Sequence, residues 1–403
     1  MTNNGYNFDA YSGLQYYASE THATQAWYGI IQKIAHLLGP LTQVAPIVGT
    51  REERERRLNG IILSKRSLIE YCMTEASNLL SVQKFQLAIP GAIQALKFSK
   101  DVYGEKSVEV VEPYLLLAQA FLGMRRLKEA EDYLSLGKWN VLNAASCPDR
   151  ILSQMHQLLG RLSVAQGHFD IAKSEFASSI FYSSRCYGAE AIATSPGYFR
   201  LGDTFLAQNN VENALAFFDK VVDIWYKYLS ALHSSTETNN NNNNGYTGNN
   251  HRSSQSSLSE RLHSPGVDSQ HSQHGQQTGG ALNTPGQLTE DQLADGRQQL
   301  DQILESRRRL LGDGHIATGE IQYTIGLFEF FLLGNENAAD SMILSALRTY
   351  EQQLGPAHPS TTHVNAVLTF VREKSMQRAS QYGGALQQLG SGRGLDTPIG
   401  VGL

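Results

Sequence analysis

Tyr198-Phe199-Arg200-Leu201-Gly202-Asp203-Thr204-Phe205, followed after a polar separator by Val211-Glu212-Asn213-Ala214-Leu215-Ala216-Phe217-Phe218, decides the fold. Tyr198, Leu201 and Phe205 recur at helical spacing around Gly202, and Phe218 lies one turn beyond Ala214. The same arrangement runs upstream. Ala76, Ala118, Gly160 and Gly202 stand 42 residues apart, as do Ala88, Ala130, Ala172 and Ala214, each 12 after its partner. Two series sharing one phase over four units predict a repeat architecture, each unit a pair of helices that buries its apolar side against its neighbours. A small residue in the first helix (A) and another early in the second (B) let two antiparallel helices approach closely. Large neighbours then fill the space between, as Leu159, Phe169 and Phe176 do around Gly160 and Ala172. Short polar separators divide the helices: Gln83-Lys84, Gly123 to Arg126, Gln166 to His168, and Gln208 to Asn210.

The order aromatic, Leu-Gly, aromatic, Ala, Phe carried by Tyr198, Leu201-Gly202, Phe205, Ala214 and Phe218 resembles the tetratricopeptide repeat. At 42 residues the unit exceeds the roughly 34 usual for that repeat, so its helices or loops carry about eight more residues. The expected fold class is all-α: a tetratricopeptide-like α-solenoid of 42-residue helix pairs, interrupted by a disordered insertion. The expected divisions are a partly helical amino-terminal extension (1–60), four repeats (66–232), a disordered low-complexity linker (233–288), carboxy-terminal repeats with a capping helix (289–382) and a flexible tail (383–403).

Within the extension, Gln25 to Leu38 reads as a short amphipathic helix with Trp27, Ile30, Ile31, Ile34 and Leu38 on one side and Gly39-Pro40 as its stop. Arg51 to Arg57 mixes both charges and reads as a solvated helix face with i,i+4 pairs. Pro90 is expected near the start of a helix B, where a missing N–H costs least. Tyr103-Gly104 and Tyr187-Gly188, 84 residues apart, read as helix B endings. Residues 234–287 hold a six-Asn run and no Ile, Phe, Met, Cys or Trp, a composition that cannot bury enough apolar surface to offset the entropy of ordering. Beyond it, Gln298 to Leu311 reads as a helix whose helix A is missing. Tyr323, Ile325-Gly326 and Ala338 then restore the 12-residue step of a fifth unit. Leu311-Gly312 with His315 and Leu354-Gly355 with His358 resemble each other 43 residues apart, and Pro359 to Arg372 opens a capping helix.

The composition excludes more than it selects. A net charge of −5 gives no basic excess for nucleic acid, and no apolar run is long enough to span a membrane. Met1 to Leu14 lacks the basic flank and apolar core of a signal peptide, and three cysteines without a C-x-x-C pair fit a reducing compartment. The expectation is a protein on the cytosolic side. No nucleophile elbow, zinc-protease, phosphate-loop or kinase signature occurs, so no catalytic residue, metal or cofactor is expected. Gly104-Glu105-Lys106-Ser107 reads as a helix-ending turn. His271 and His274 have metal spacing but no Cys or acidic partner, and His156 and His168 read as surface or packing residues. What remains is protein binding. The period turns Met73 and Ser77, Gln119, Gln157 and Arg161, and Arg200 and Asp203 toward the concave face, where solenoids hold peptides or partner helices. The Lys and Asn of a chaperone carboxylate clamp stand at none of these positions.

Ala88-Ile89-Pro90-Gly91-Ala92-Ile93-Gln94-Ala95-Leu96, Pro113-Tyr114-Leu115-Leu116-Leu117-Ala118 and Ala130-Glu131-Asp132-Tyr133-Leu134 carry a more particular likeness. With Trp139, Cys147, Gly197-Tyr198-Phe199 and Ile224-Trp225, they resemble the tetratricopeptide region of the zinc finger MYND domain-containing protein twelve family, closely over 80–232 and loosely over 290–375. The MYND finger itself is not matched, because the chain has three cysteines in all. The resemblance implies a scaffold of the ciliary or flagellar axoneme, working with a second tetratricopeptide protein and a single-headed inner-arm dynein in motility. A second resemblance, of Leu354-Gly355 and His358-Pro359 to kinesin light chain repeats, implies a soluble cargo or signalling adaptor.

Overall fold

The computed structural model describes residues 20–42, 50–243 and 288–390, and all regular structure among them is helical. The stretch from 244 to 287, with His271 and His274, and the tail beyond 390 lie outside the described residues. The chain is a tetratricopeptide-like α-solenoid. Four helix pairs come first: α3 (Arg51–Ser81) with α4 (Phe85–Tyr103), α5 (Val111–Gly123) with α6 (Leu127–Asn143), α7 (Asp149–Ala165) with α8 (Phe169–Tyr187), and α9 (Ser195–Ala207) with α10 (Val211–Asn243). They are preceded by α1 (Glu20–Ala26) and α2 (Gln32–Thr42), and followed by α11 (Glu290–Leu311), α12 (Ile316–Phe328), α13 (Glu336–Leu354) and α14 (Pro359–Gly390).

Two recurring turns set the path. Gln83, Arg125, Gly167 and Asn209, each 42 after the last, are left-handed at φ 58°, 59°, 81° and 58°. In each, the next residue's N–H bonds the carbonyl five back: Lys84 to Leu79, Arg126 to Phe121, His168 to Ser163 and Asn210 to Phe205, at 2.8–2.9 Å. This is the Schellman ending, which satisfies carbonyls that the helix leaves open. The second turn joins helix B to the next helix A. Gly104, Gly188, Gly312 and Gly355 sit at φ 87–98° and ψ 150–163°, a region open essentially to glycine alone. Gly104-Glu105-Lys106-Ser107 is such a turn, and Ser107 caps the helix that follows by accepting from the Glu109 N–H.

The small residues work as the repeat requires. A Cβ on Gly160 would lie 2.6 Å from the Phe176 ring, and one on Gly202 would lie 2.9 Å from Phe218 and 3.2 Å from the Ala214 carbonyl. Ala76, Ala88, Ala118, Ala130, Ala172 and Ala214 are all buried. In the fifth unit the register differs by one residue. A π-helical segment, Glu329–Leu333, inserts an extra residue, and Asn335 bonds back six residues to Glu329 rather than five. Ala339, not Ala338, is therefore the buried small residue opposite Gly326, whose missing Cβ faces the Ala339 carbonyl at 3.3 Å. Ala338 takes the place that Asn213 holds in the fourth unit: both N–H groups bond the Asn side chain three residues earlier.

The boundaries also move. The charged run Arg51 to Arg57 is the start of α3, opened by a Thr50–Glu53 capping box and carrying the expected Arg51–Glu55 and Arg56–Glu52 pairs. No break falls at 60–66, since α3 continues to Ser81. The amino-terminal helix passes through Gly39-Pro40 to Thr42; a proline so near a helix end forfeits little bonding. Its Ile30, Ile31, Ile34 and Leu38 pack on Leu68, Ile69 and Cys72 of α3 and on Ala95 and Phe98 of α4. Burial pushes the Cys72 thiol up to about 12. Pro90 lies inside α4, beyond the first turn. Helix α10 runs eleven residues past 232 to Asn243, and α14 passes the expected tail boundary to Gly390.

The missing helix A is α10 itself. Trp225 meets Phe328, Tyr226 meets Tyr323 and His233 meets Phe331, so α10 runs parallel to α12. Tyr323 meets His363 and Phe330 meets Phe370, so α12 runs parallel to α14. Helix α11 runs antiparallel to α12, tied by Arg297–Glu329 at one end and by Arg307 to the Ala317 carbonyl at the other. Thus α10 is helix B to α9 and opens the A row of a second stack, α10–α12–α14, with α11 and α13 as the B row. One core from Ile192 to Val371 joins them.

Gly202→Leu should lower stability by ~1–3 kcal/mol through overpacking. Gly60→Ala, in helix α3 with nothing within 4 Å, should raise it by roughly 0.5–1 kcal/mol; urea unfolding of both variants checks the register. Trp225→Ala should cost about 3–5 kcal/mol. Because α10 is shared, hydrogen exchange should rise in α9 and in α12 together, and protection retained in either one alone would contradict the shared-helix arrangement.

Candidate partner-binding face

The A helices α5, α7 and α9 carry the residues expected on the binding face. Gln119, Gln157, Arg161 and Arg200 are half-buried, and Asp203 is exposed. Met73 does not join them: it packs against the core formed with the amino-terminal helices. The helix that covers part of this face was not expected there. Helix α11, read from sequence as an ordinary helix B, also touches α9 and α3.

The reason lies in the packing of α11 on α10. Gly296 sits against the indole of Trp225, and a Cβ there would fall 2.2 Å from Trp225 Cζ2. The missing side chain lets the backbone of α11 lie directly against the indole, and α11 also touches α9 and α3 of the first stack. Its other half is anchored by Leu300, Ile303 and Leu304 in the core and by Arg307, whose guanidinium donates to Asp219 of α10 and to the Ala317 carbonyl. Arg297 pairs with the buried Glu329 at 2.8 Å. Between the first turns of α11 and helices α7 and α9 a cleft of ≈270 Å³ remains, lined by Gln154 and Gln157 on one side and by Gln292, Asp295 and Gln299 on the other.

Arg150 and Asp295 are the charged residues of the cleft wall, and Asp295 interacts electrostatically with Arg161 and Arg200, which, with Asp203, lie outside the lining. Burial, and then the neighbouring Arg200, bring the Arg161 guanidinium down to about 10, while Asp295 opposes the shift. Arg200 is lowered by burial against the opposing pull of Asp203 and Asp295, and its guanidinium lies over the Phe199 ring. Asp203 and Asp295 keep solvent contact, yet the surrounding helices desolvate both carboxyls enough to raise them above the usual range; Arg200 pulls the other way on each. Among the described residues neither arginine forms an ion pair within 4.0 Å. Gln119 lies on α5, away from this cluster, and lines no part of the cleft.

The remaining sequence candidates are structural. His156 bonds Glu175 through Nδ1 at 2.6 Å and stacks on Tyr182, and His168 is the residue before α8. Cys72, Cys147 and Cys186 are free thiols. Among the described residues no group of three metal-ligating side chains occurs, and no helix is long and apolar enough to cross a membrane.

The fold and this face define a class: an all-α helical-repeat scaffold of the protein-binding kind. The tetratricopeptide repeat model matches residues 195–224, which are α9 and the first turns of α10. Among solved structures, the crystal structure of BtubC from P. vanneervenii is similar at 12% identity, covering 83% of this chain and 97% of that one, with a TM-score of 0.27.

Asp295 provides a pH test. A carboxyl whose folded pKa is raised contributes stability below its unfolded pKa and loses it as pH rises through the folded value. Asp295→Asn should therefore be more stable than the parent at pH 7, with the difference vanishing as pH falls through the Asp295 titration. Thermal melts at both ends of that range check the sign.

Proposed function

We propose that this chain is a non-catalytic scaffold of the motile axoneme that docks or stabilises an inner-arm dynein. What supports the reading is the sequence resemblance of 80–232 to the axonemal family, a stretch that falls within the helix pairs α3–α10. The helical-repeat body and the match of the tetratricopeptide model over 195–224 support a protein-binding role. Its partners in this reading are a second tetratricopeptide protein of the axoneme and a single-headed inner-arm dynein, and its place is the ciliary or flagellar cytoskeleton. The feature that favoured a kinesin-light-chain-like adaptor has a local explanation. Gly355 is the helix-ending glycine, and His358 caps α14 by accepting from the Ser360 N–H at 3.2 Å. Gly312 and His315 build the same turn before α12, so the motif reports the fold rather than a cargo.

The test is fractionation of the tagged chain from detergent-extracted flagellated cells, with mass spectrometry of what co-purifies. Retention on axonemes, release by salt and recovery of an inner-arm dynein with a second repeat protein are expected. Complete loss to the detergent-soluble fraction, with kinesin or signalling proteins bound, would replace this reading with the adaptor.

A further inference from the structure

One side of α6 is uncovered from end to end. Lys128, Asp132, Leu136, Trp139 and Asn143 follow one another at steps of three or four, so they share a face, and all are exposed. Leu136 and Trp139 are 46% and 48% exposed, and Leu142 beside them is 74% exposed. The repeat does not require apolar residues there. At the places of Leu136 and Trp139, α4 carries Gln94 and Lys97, α8 carries Ser178 and Phe181, and α10 carries Lys220 and Asp223. On α8 the chain itself supplies a neighbour: Arg185 lies over the Phe181 ring and pairs with Asp149. Large apolar side chains grouped on one exposed face point to contact with another molecule. The charges of this face stand at its two ends. Asp132 is at one, and at the other the Lys106 ammonium lies 5.7 Å from the centre of the Trp139 ring. Asn140 holds that lysine's loop on α6 by donating to the Glu105 and Ser107 carbonyls at 2.9 and 3.1 Å. Among the described residues Lys106, Lys128 and Asp132 form no ion pair, whereas the neighbouring Glu105 and Glu129 are paired with Lys100 and Arg126.

We propose that this face binds the same face of a second copy of the chain, the two α6 helices lying antiparallel about a twofold axis beside Ser135 and Leu136. The charges select that pairing. Asp132 and Trp139 lie equally far from the axis, so Asp132 of each copy meets Trp139 and Lys106 of the other. Lys128 and Asn143 are also equidistant, which brings each Lys128 to the carboxy-terminal end of the other α6, where a helix favours positive charge. On the flank, Glu131 and Lys138 cross in the same way. The two Leu136 side chains meet near the axis. A parallel pairing would set Asp132 on Asp132 and Lys106 on Lys106. A partner of one charge would match only half of the face, so a second copy is the occupant it fits. One helix face is smaller than the roughly 800 Å² per partner of a standard stable interface, and the dimer's Kd is expected on the order of 10–100 μM. The inference does not depend on the axonemal reading.

Sedimentation velocity on the full chain, from about 2 to 500 μM, reads the association. The weight-average mass should climb from 44.5 kDa toward twice that value. Trp139→Ala should weaken dimerisation by roughly tenfold or more, as loss of a central aromatic does. Asp132→Lys and Lys106→Asp, both at exposed positions, should each weaken self-association by roughly tenfold, because each sets like charges together at two symmetric places. Mixed in equal amounts, these two variants should associate with each other about as tightly as the parent does with itself, since every lysine then meets an aspartate. Neither misfolding nor general stickiness produces that recovery. A chain that stays monomeric throughout overturns the proposal and leaves the α6 face to a different protein. A dimer that Trp139→Ala leaves intact also overturns it, and so does a mixture that associates no better than either variant alone.

Discussion

The contact of Trp225 with Gly296 and Phe328 is the constraint on which the arrangement of the whole chain depends. Helix α10 must close the fourth pair against α9 on one side and begin a new row against α12 on the other. A single buried indole serves both duties. It packs on Phe328 of α12 and directly against the backbone of α11 at Gly296. The buried Arg307 ties the opposite end of α11 to Asp219 of α10, while α11 also touches α9 and α3 of the first stack.

The repeats themselves depend on simpler physics. Close approach of two helices needs a small residue on each, and the turn between them needs a left-handed residue followed by a bond to the carbonyl five back. Both are met four times at the same interval, although Gln83 and Arg125 adopt the left-handed conformation that Gly167 takes without steric cost. The fifth unit shows how much slack this scheme has. One additional residue is absorbed as a π-helical turn, the glycine-to-alanine step lengthens from 12 to 13, and the packing of Gly326 on the next helix is preserved.

Function follows from which faces are left for others. The binding face expected from the period is partly roofed by the chain's own α11, so the accessible surface is a polar cleft rather than an open groove. Carboxyls and guanidiniums lie close together there, yet burial outweighs their mutual attraction: Arg161 and Arg200 are lowered and Asp203 and Asp295 raised. The cleft wall itself carries Gln154, Gln157, Gln292 and Gln299 together with Arg150 and Asp295.

The 42-residue spacing of Ala76, Ala118, Gly160 and Gly202, and of the alanines 12 beyond each, determined the helix pairs and their contacts without any coordinate, because steric exclusion at a close crossing acts on residue size alone. The glycines at 104, 188, 312 and 355 were legible for the same reason, since their backbone conformation admits almost nothing else. Sequence could not place Ala339 over Ala338, because a π-helical turn has no residue signature and only its effect on the register reveals it. Nor could it find the second role of α10. Trp225, Tyr226 and His233 look like any apolar helix face, and the low-complexity stretch after them hid that the next helix would return to the same side. The cleft between α7 and α11 belongs wholly to the tertiary structure. Its walls are more than a hundred residues apart in sequence, and long-range packing of α11 on α10 and α12 brings them face to face.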